Sequence, residues 1–99
     1  MNIAIDYDGT YSADPFLFNA FIGLARHQGH ECFIVTGRKE SEAPSAQAGE
    51  IIAGIRVICC NGELKEKACM KRGIKIDVWC DDMPRMIQET FMIPEDKDL

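Results

Sequence analysis

The chain has 99 residues, 46% of them hydrophobic and 27% charged, with a formal net charge of −5. A chain this short buries roughly 60–70% of its unfolded surface in one core, which predicts a single domain over residues 1–99 and excludes a second lobe. No apolar run approaches the ~20 residues that span a bilayer, Met1-Asn2-Ile3 lacks the charged and apolar regions of a signal peptide, and the negative charge argues against a polynucleotide partner, whose backbone is bound by Lys and Arg.

A cytoplasmic protein without a membrane partner is the expectation. The five cysteines, Cys32, Cys59, Cys60, Cys69 and Cys80, are odd in number and contain no CxxC pair. They read as small core hydrophobes rather than disulfides or zinc ligands.

In chain order, Ile3-Ala4-Ile5-Asp6-Tyr7 is a short, partly β-branched run that predicts a buried strand. Asp14-Pro15 has the residues of a helix start. Leu17, Phe21 and Leu24, with Phe18, Ile22 and Ala25 beside them, then recur at helical spacing up to a stop at Gly29. Cys32 to Thr36 predicts a second strand, closed by Gly37. A weaker helix is expected from Pro44 to Ala53, with Ala48, Ile51 and Ile52 as its apolar side. Arg56 to Cys60 predicts a third strand, Leu64 to Arg72 a short helix ending at Gly73, and Asp77 to Cys80 a fourth strand. Pro84 opens a last helix with Met86, Ile87, Thr90 and Phe91 on one face, ended by Pro94; Glu95 to Leu99 reads as a loose tail.

Strands alternating with helices predict an α/β fold, a Rossmann-like parallel sheet of four to five strands with helices on both faces. The fifth strand could only be a short one around 91–93. Such sheets bind ligands beyond the carboxyl ends of their strands. Here those ends read Asp6-Tyr7-Asp8, Thr36-Gly37, Asn61-Gly62 and Asp81-Asp82. Four carboxylates on one edge repel one another unless a divalent cation or a shared proton relieves the charge, and hard oxygen ligands favour magnesium. Asp6 and Asp8, two apart, would project to one side of an extended chain. One could attack phosphorus while the other moves protons. Gly9 allows backbone to approach a ligand closely, and Thr36 offers a hydroxyl and an N–H to a phosphoryl oxygen.

Asp6-Tyr7-Asp8-Gly9-Thr10 resembles the DxDGT signature of the haloacid dehalogenase superfamily of phosphohydrolases. Thr36, after Phe33-Ile34-Val35, resembles that family's second motif, and Asp81-Asp82, after Val78-Trp79-Cys80, its acidic pair. Of the lysines, Lys65 fits the third motif best and Lys67 next, whereas Lys71 and Lys75 fall late. The resemblance covers residues 3 to about 85. It implies that Asp6 forms an aspartyl-phosphate, and that Asp8 protonates the leaving group and then activates water. It further implies that Asp6, Asp81, Asp82 and the carbonyl of Asp8 hold magnesium, and that Thr36 and Lys65 bind the phosphoryl group, with Gly9, Thr10 and Gly37 beside them. Unlike most members, the chain has no room for a cap domain, since the gaps at 11–14 and 61–63 are short. A capless site suits either a phosphorylated macromolecule or a small molecule covered by a neighbouring subunit, so a homo-oligomer is one expectation.

The leading expectation is therefore a magnesium-dependent phosphomonoester phosphatase. A non-hydrolytic magnesium- and phosphate-binding regulatory module of the same fold is the alternative. A receiver domain fits less well, because its phosphorylated Asp ends strand three, where this chain has Cys59-Cys60-Asn61. Arg38 and Lys39 read as solvated charge, with a substrate anion as the other possibility. Asn61 could line the site, and Trp79 reads as core.

Overall fold

The computed structural model of the chain describes residues 1–88. The four apolar runs form strands β1 (Asn2–Ile5), β2 (Glu31–Thr36), β3 (Arg56–Cys59) and β4 (Val78–Cys80), paired in parallel in the order β3-β2-β1-β4. Side chains alternate across a strand, and the two faces bury different residues. Ile3, Ile5, Cys32 and Ile34 fill one core, while Ala4, Phe33, Val35 and Ile58 fill the other. Helix α1 (Pro15–His27) covers the first face through Ile22 and Ala25, and helix α2 (Lys65–Lys71) covers the second through Ala68 and Cys69. The expected α/β sheet with helices on both faces is thus observed, with four strands and no cap among the described residues.

Helix α1 starts where Asp14 Oδ1 accepts the Leu17 N–H at 3.0 Å with Pro15 in the first turn, and it stops at Gly29, whose φ of +87° few other residues tolerate. Of its two apolar stripes, Ile22 and Ala25 are buried and Phe18 packs against the core, whereas Leu17, Phe21 and Leu24 face outward. The N-terminus of α2 has no side-chain cap; the Ile87 carbonyl accepts from the Glu66 N–H at 3.0 Å, satisfying one of the donors that a helix start leaves free. All five cysteines are free, four of them buried. No helix among the described residues is long and apolar enough to cross a membrane.

The helix expected over 44–53 does not form. The connection from β2 to β3 carries one 3-10 turn, Glu40–Glu42, and then irregular turns. Ser45 closes the segment on itself: its Oγ accepts from the Ala48 N–H at 3.1 Å, its carbonyl from the Glu50 N–H at 3.0 Å, and its own N–H donates to Glu50 Oε1 at 3.2 Å. Serine competes with a helix in this way, and Gly49 at φ +73° ends the turn. Ile51 and Ile52 still pack against the core, held by the Ile52 N–H donating to the Tyr11 hydroxyl at 3.0 Å. The apolar pattern was real, but it covers the sheet as a loop. After Pro84 the described chain makes one 3-10 turn, Pro84–Met86, rather than an α-helix up to Gln88. Thr90, Phe91, Pro94, the possible strand at 91–93 and the tail at 95–99 lie outside the described residues.

The two stripes of α1 predict opposite mutational costs. Ile22→Ala should lower the unfolding free energy by about 2–5 kcal/mol, and Leu24→Ala should stay within about 0.5 kcal/mol, both read by urea denaturation.

Candidate active site

The connection from β1 leads to β2 on one side of the sheet, and the chain returns from β3 to place β4 on the other side of β1. Ligands bind at the carboxyl ends of strands where the order reverses in this way. The register pairs Ile5 with Cys80, and the Asp6 N–H donates to the Cys80 carbonyl at 2.9 Å. The next residues, Asp6 and Asp81, therefore emerge side by side from neighbouring strands. Asp82 follows, and carboxylate oxygens of Asp6, Asp81 and Asp82 all lie within 4.8 Å of one another.

Lys65, the first residue of α2, reaches this group through the core. Its ammonium donates to Asp6 Oδ1 and to Asp81 Oδ2, each at 2.6 Å, and the residue is only 4% exposed. Lys67 lies exposed on the other side of α2, so of the two candidates Lys65 meets the aspartates. Thr10 joins the group: its hydroxyl lies 3.3 Å from both Asp6 Oδ2 and Asp82 Oδ1. Gly9 is required beside them. At φ +83° its backbone passes so near Asp82 that a Cβ would fall 2.5 Å from Asp82 Oδ2. The Met83 N–H fixes Asp81 through its Oδ1 at 2.9 Å.

Burial pushes the Asp6 carboxyl up from 3.8 to about 6, helped by Asp82 and Asp81, although Lys65 pulls it down. Burial lowers the Lys65 ammonium, but its bonds and attraction to Asp6 and Asp81 outweigh that and hold it above its ordinary value. With every group ionised, three carboxylates and one ammonium leave two negative charges in a partly desolvated space. These are hard oxygen donors, and a divalent cation would match both their chemistry and their charge; the same charge-bearing set would resist an anion.

Asp8 is placed differently from Asp6. The chain turns after Asp6, so the two do not share an extended segment, yet both line a cleft of about 150 Å³ with Gly37, Lys65, Asp81, Asp82, Met83 and Met86. Asp8 belongs to a fork rather than to the acidic triad: Arg38 Nη2 donates to its Oδ1 at 2.7 Å and Arg38 Nε to its Oδ2 at 2.9 Å. These bonds hold the Asp8 carboxyl below its usual range. Both side chains are substantially solvated, and water screens the attraction between them. Thr36 is buried at the end of β2, where its Oγ1 accepts the Arg38 N–H at 3.3 Å, and it is Gly37 that lines the cleft.

Arg38, which the sequence suggested as solvated charge, is partly exposed and forks onto Asp8 beside the cleft. Its only sequence signal was its place one residue beyond a strand-end glycine. Met83 and Met86 were not expected in the cleft, because a 3-10 turn rather than a helix aims them there. Asn61 lies outside the cleft lining but supports the loop opposite, its N–H donating to the Arg38 carbonyl at 3.1 Å. Lys39 is exposed, and Trp79 packs partly buried against the second core.

The raised Asp6 pKa has a defined sign. Between about 3.8 and about 6 the folded protein holds a proton that an ordinary aspartate has released, so this group's contribution to stability falls as pH rises through that window and is lost above it. Without divalent cations, the Asp6 carboxyl carbon should titrate by NMR with a midpoint near 6. Lys65→Met, which removes the cation holding it down, should move that midpoint higher.

Searches of protein-family models, of curated proteins and of solved structures return no match to this chain.

Proposed function

We propose that the protein is a magnesium-dependent phosphohydrolase that cleaves phosphomonoesters through an aspartyl-phosphate on Asp6. The observation that carries this reading is the buried Lys65 ammonium fixed between Asp6 and Asp81 at 2.6 Å, with Asp82 alongside. It is supported by the likeness of Asp6-Tyr7-Asp8-Gly9-Thr10, Thr36, Lys65 and Asp81-Asp82 to the motifs of haloacid dehalogenase phosphohydrolases.

Lys65 anchors one oxygen of Asp6 and so fixes the rotamer from which the carboxylate attacks phosphorus. As that bond forms, the bond to the leaving oxygen breaks, and Asp8, once it has left Arg38 and taken a proton from solvent, delivers that proton to the leaving oxygen. Asp8 then takes a proton from water. The water oxygen attacks the same phosphorus, the bond to Asp6 breaks, and phosphate leaves with Asp6 regenerated. Magnesium, held by Asp6, Asp81 and Asp82, would neutralise charge on the phosphoryl oxygens. The Gly37 backbone, at the cleft wall, would bind one of those oxygens. A cleft of about 150 Å³ is small beside the usual ligand pocket. It admits a phosphoryl end and leaves the rest of the substrate, small molecule or macromolecule, outside.

One observation favours the alternative of a non-hydrolytic magnesium- and phosphate-binding module: both Asp8 oxygens are occupied by Arg38. Turnover separates the two readings. Phosphate release from 4-nitrophenyl phosphate should depend on added magnesium, stop on chelation, and fall at least about a thousandfold in Asp6→Asn. Magnesium binding without any release would favour the binding module, and neither binding nor release would contradict both.

A further inference from the structure

The Arg38 guanidinium is held on every side. Two nitrogens fork onto Asp8, Nη1 donates to the Glu42 carbonyl at 3.0 Å, and the group lies 5.0 Å from the centre of the Tyr7 ring. Its backbone is tied as well, through its N–H to Thr36 and its carbonyl to Asn61. The contacts to Tyr7 and Glu42 do not involve Asp8, and they would keep the fork at the rim of the cleft if Asp8 were released.

Two facts make the Asp8 contact unlike a permanent brace. The pair is open to water, 33% exposed on the arginine side chain and 57% on the aspartate, so a competing anion can reach the guanidinium. Asp8 also cannot transfer a proton to a leaving oxygen while both of its own oxygens accept from the guanidinium. Proton transfer therefore needs the fork to be drawn off, and what draws off a planar guanidinium is another planar or tetrahedral oxyanion. Lys65, the one basic residue among the described residues that line the cleft, already serves two carboxylates.

We propose that Arg38 is an exchangeable oxyanion site: it rests on Asp8 until a second anionic group, on the leaving side of the substrate, takes the fork and uncovers Asp8. This rests on the phosphohydrolase reading and narrows it to substrates that carry a carboxylate or second phosphate beyond the scissile phosphoryl group. Phosphomonoesters whose leaving group is uncharged and must be protonated react slowly because nothing displaces the resting contact, whereas 4-nitrophenolate leaves without a proton.

Benzylphosphonates substituted at the meta or para position with a carboxylate or with an uncharged carboxamide test this without turnover. The magnesium-loaded protein should bind the better carboxylate compound about tenfold more tightly than its carboxamide, and that compound should shift the Arg38 Nε–H resonance. In Arg38→Gln the two compounds should bind alike, and Arg38→Lys, which keeps the charge without the fork, should retain a smaller preference. Equal binding of carboxylate and carboxamide by the unaltered protein, or a preference that survives in Arg38→Gln, overturns the inference alone. If no phosphonate binds, the phosphohydrolase reading falls and the inference falls with it.

Discussion

The bridge from Lys65 to Asp6 and Asp81 is the interaction on which the rest of the site depends. Parallel strands aligned by their register deliver the two aspartates side by side, and Asp82 adds a third carboxylate. A low-dielectric setting makes such a group costly unless a positive charge is fixed among its members. Lys65 supplies that charge at 2.6 Å from two of them. Breaking a buried pair by removing one partner typically costs about 3–5 kcal/mol, a large share of the 5–15 kcal/mol that usually holds a domain together. The same bridge joins α2 to the ends of β1 and β4, so it serves the fold and the site together.

The charge that Lys65 leaves unbalanced gives the site its chemistry. Asp6 is raised to about 6 mainly by burial, despite the adjacent ammonium, which marks an environment in which a divalent cation would replace the proton. Asp8 stands outside the triad, in water, where Arg38 rather than a metal-ligand geometry determines its state. The division between the buried Asp6 and the exposed Asp8 follows from the turn that begins straight after Asp6.

Much of this was legible in the amino-acid order. The four strands follow from short β-branched runs, and the gathering of Asp6, Asp81 and Asp82 follows once those strands are parallel, whereas Lys65 was singled out only by the motif resemblance. What was hidden depends on contacts that no local pattern records. The segment 44–53 has an apolar side, but Ser45, Glu50 and Gly49 close it as turns before a helix can propagate. Helix α1 carries two adjacent apolar stripes, and only the sheet decides that Ile22 is buried and Leu24 is not. Arg38 looks like surface charge until the loops after β1, β2 and β3 bring it onto Asp8 and Tyr7. Its contacts are set by tertiary geometry alone.

The most direct measurement is chemical identification of the phosphorylated residue. Protein turning over an aryl phosphate with magnesium would be quenched in acid and reduced with borohydride, which converts an aspartyl-phosphate to homoserine, and the peptides would be sequenced by mass spectrometry. The account predicts homoserine at position 6 and nowhere else. Phosphate release without homoserine at position 6, or homoserine at position 8 or 81 instead, would contradict it.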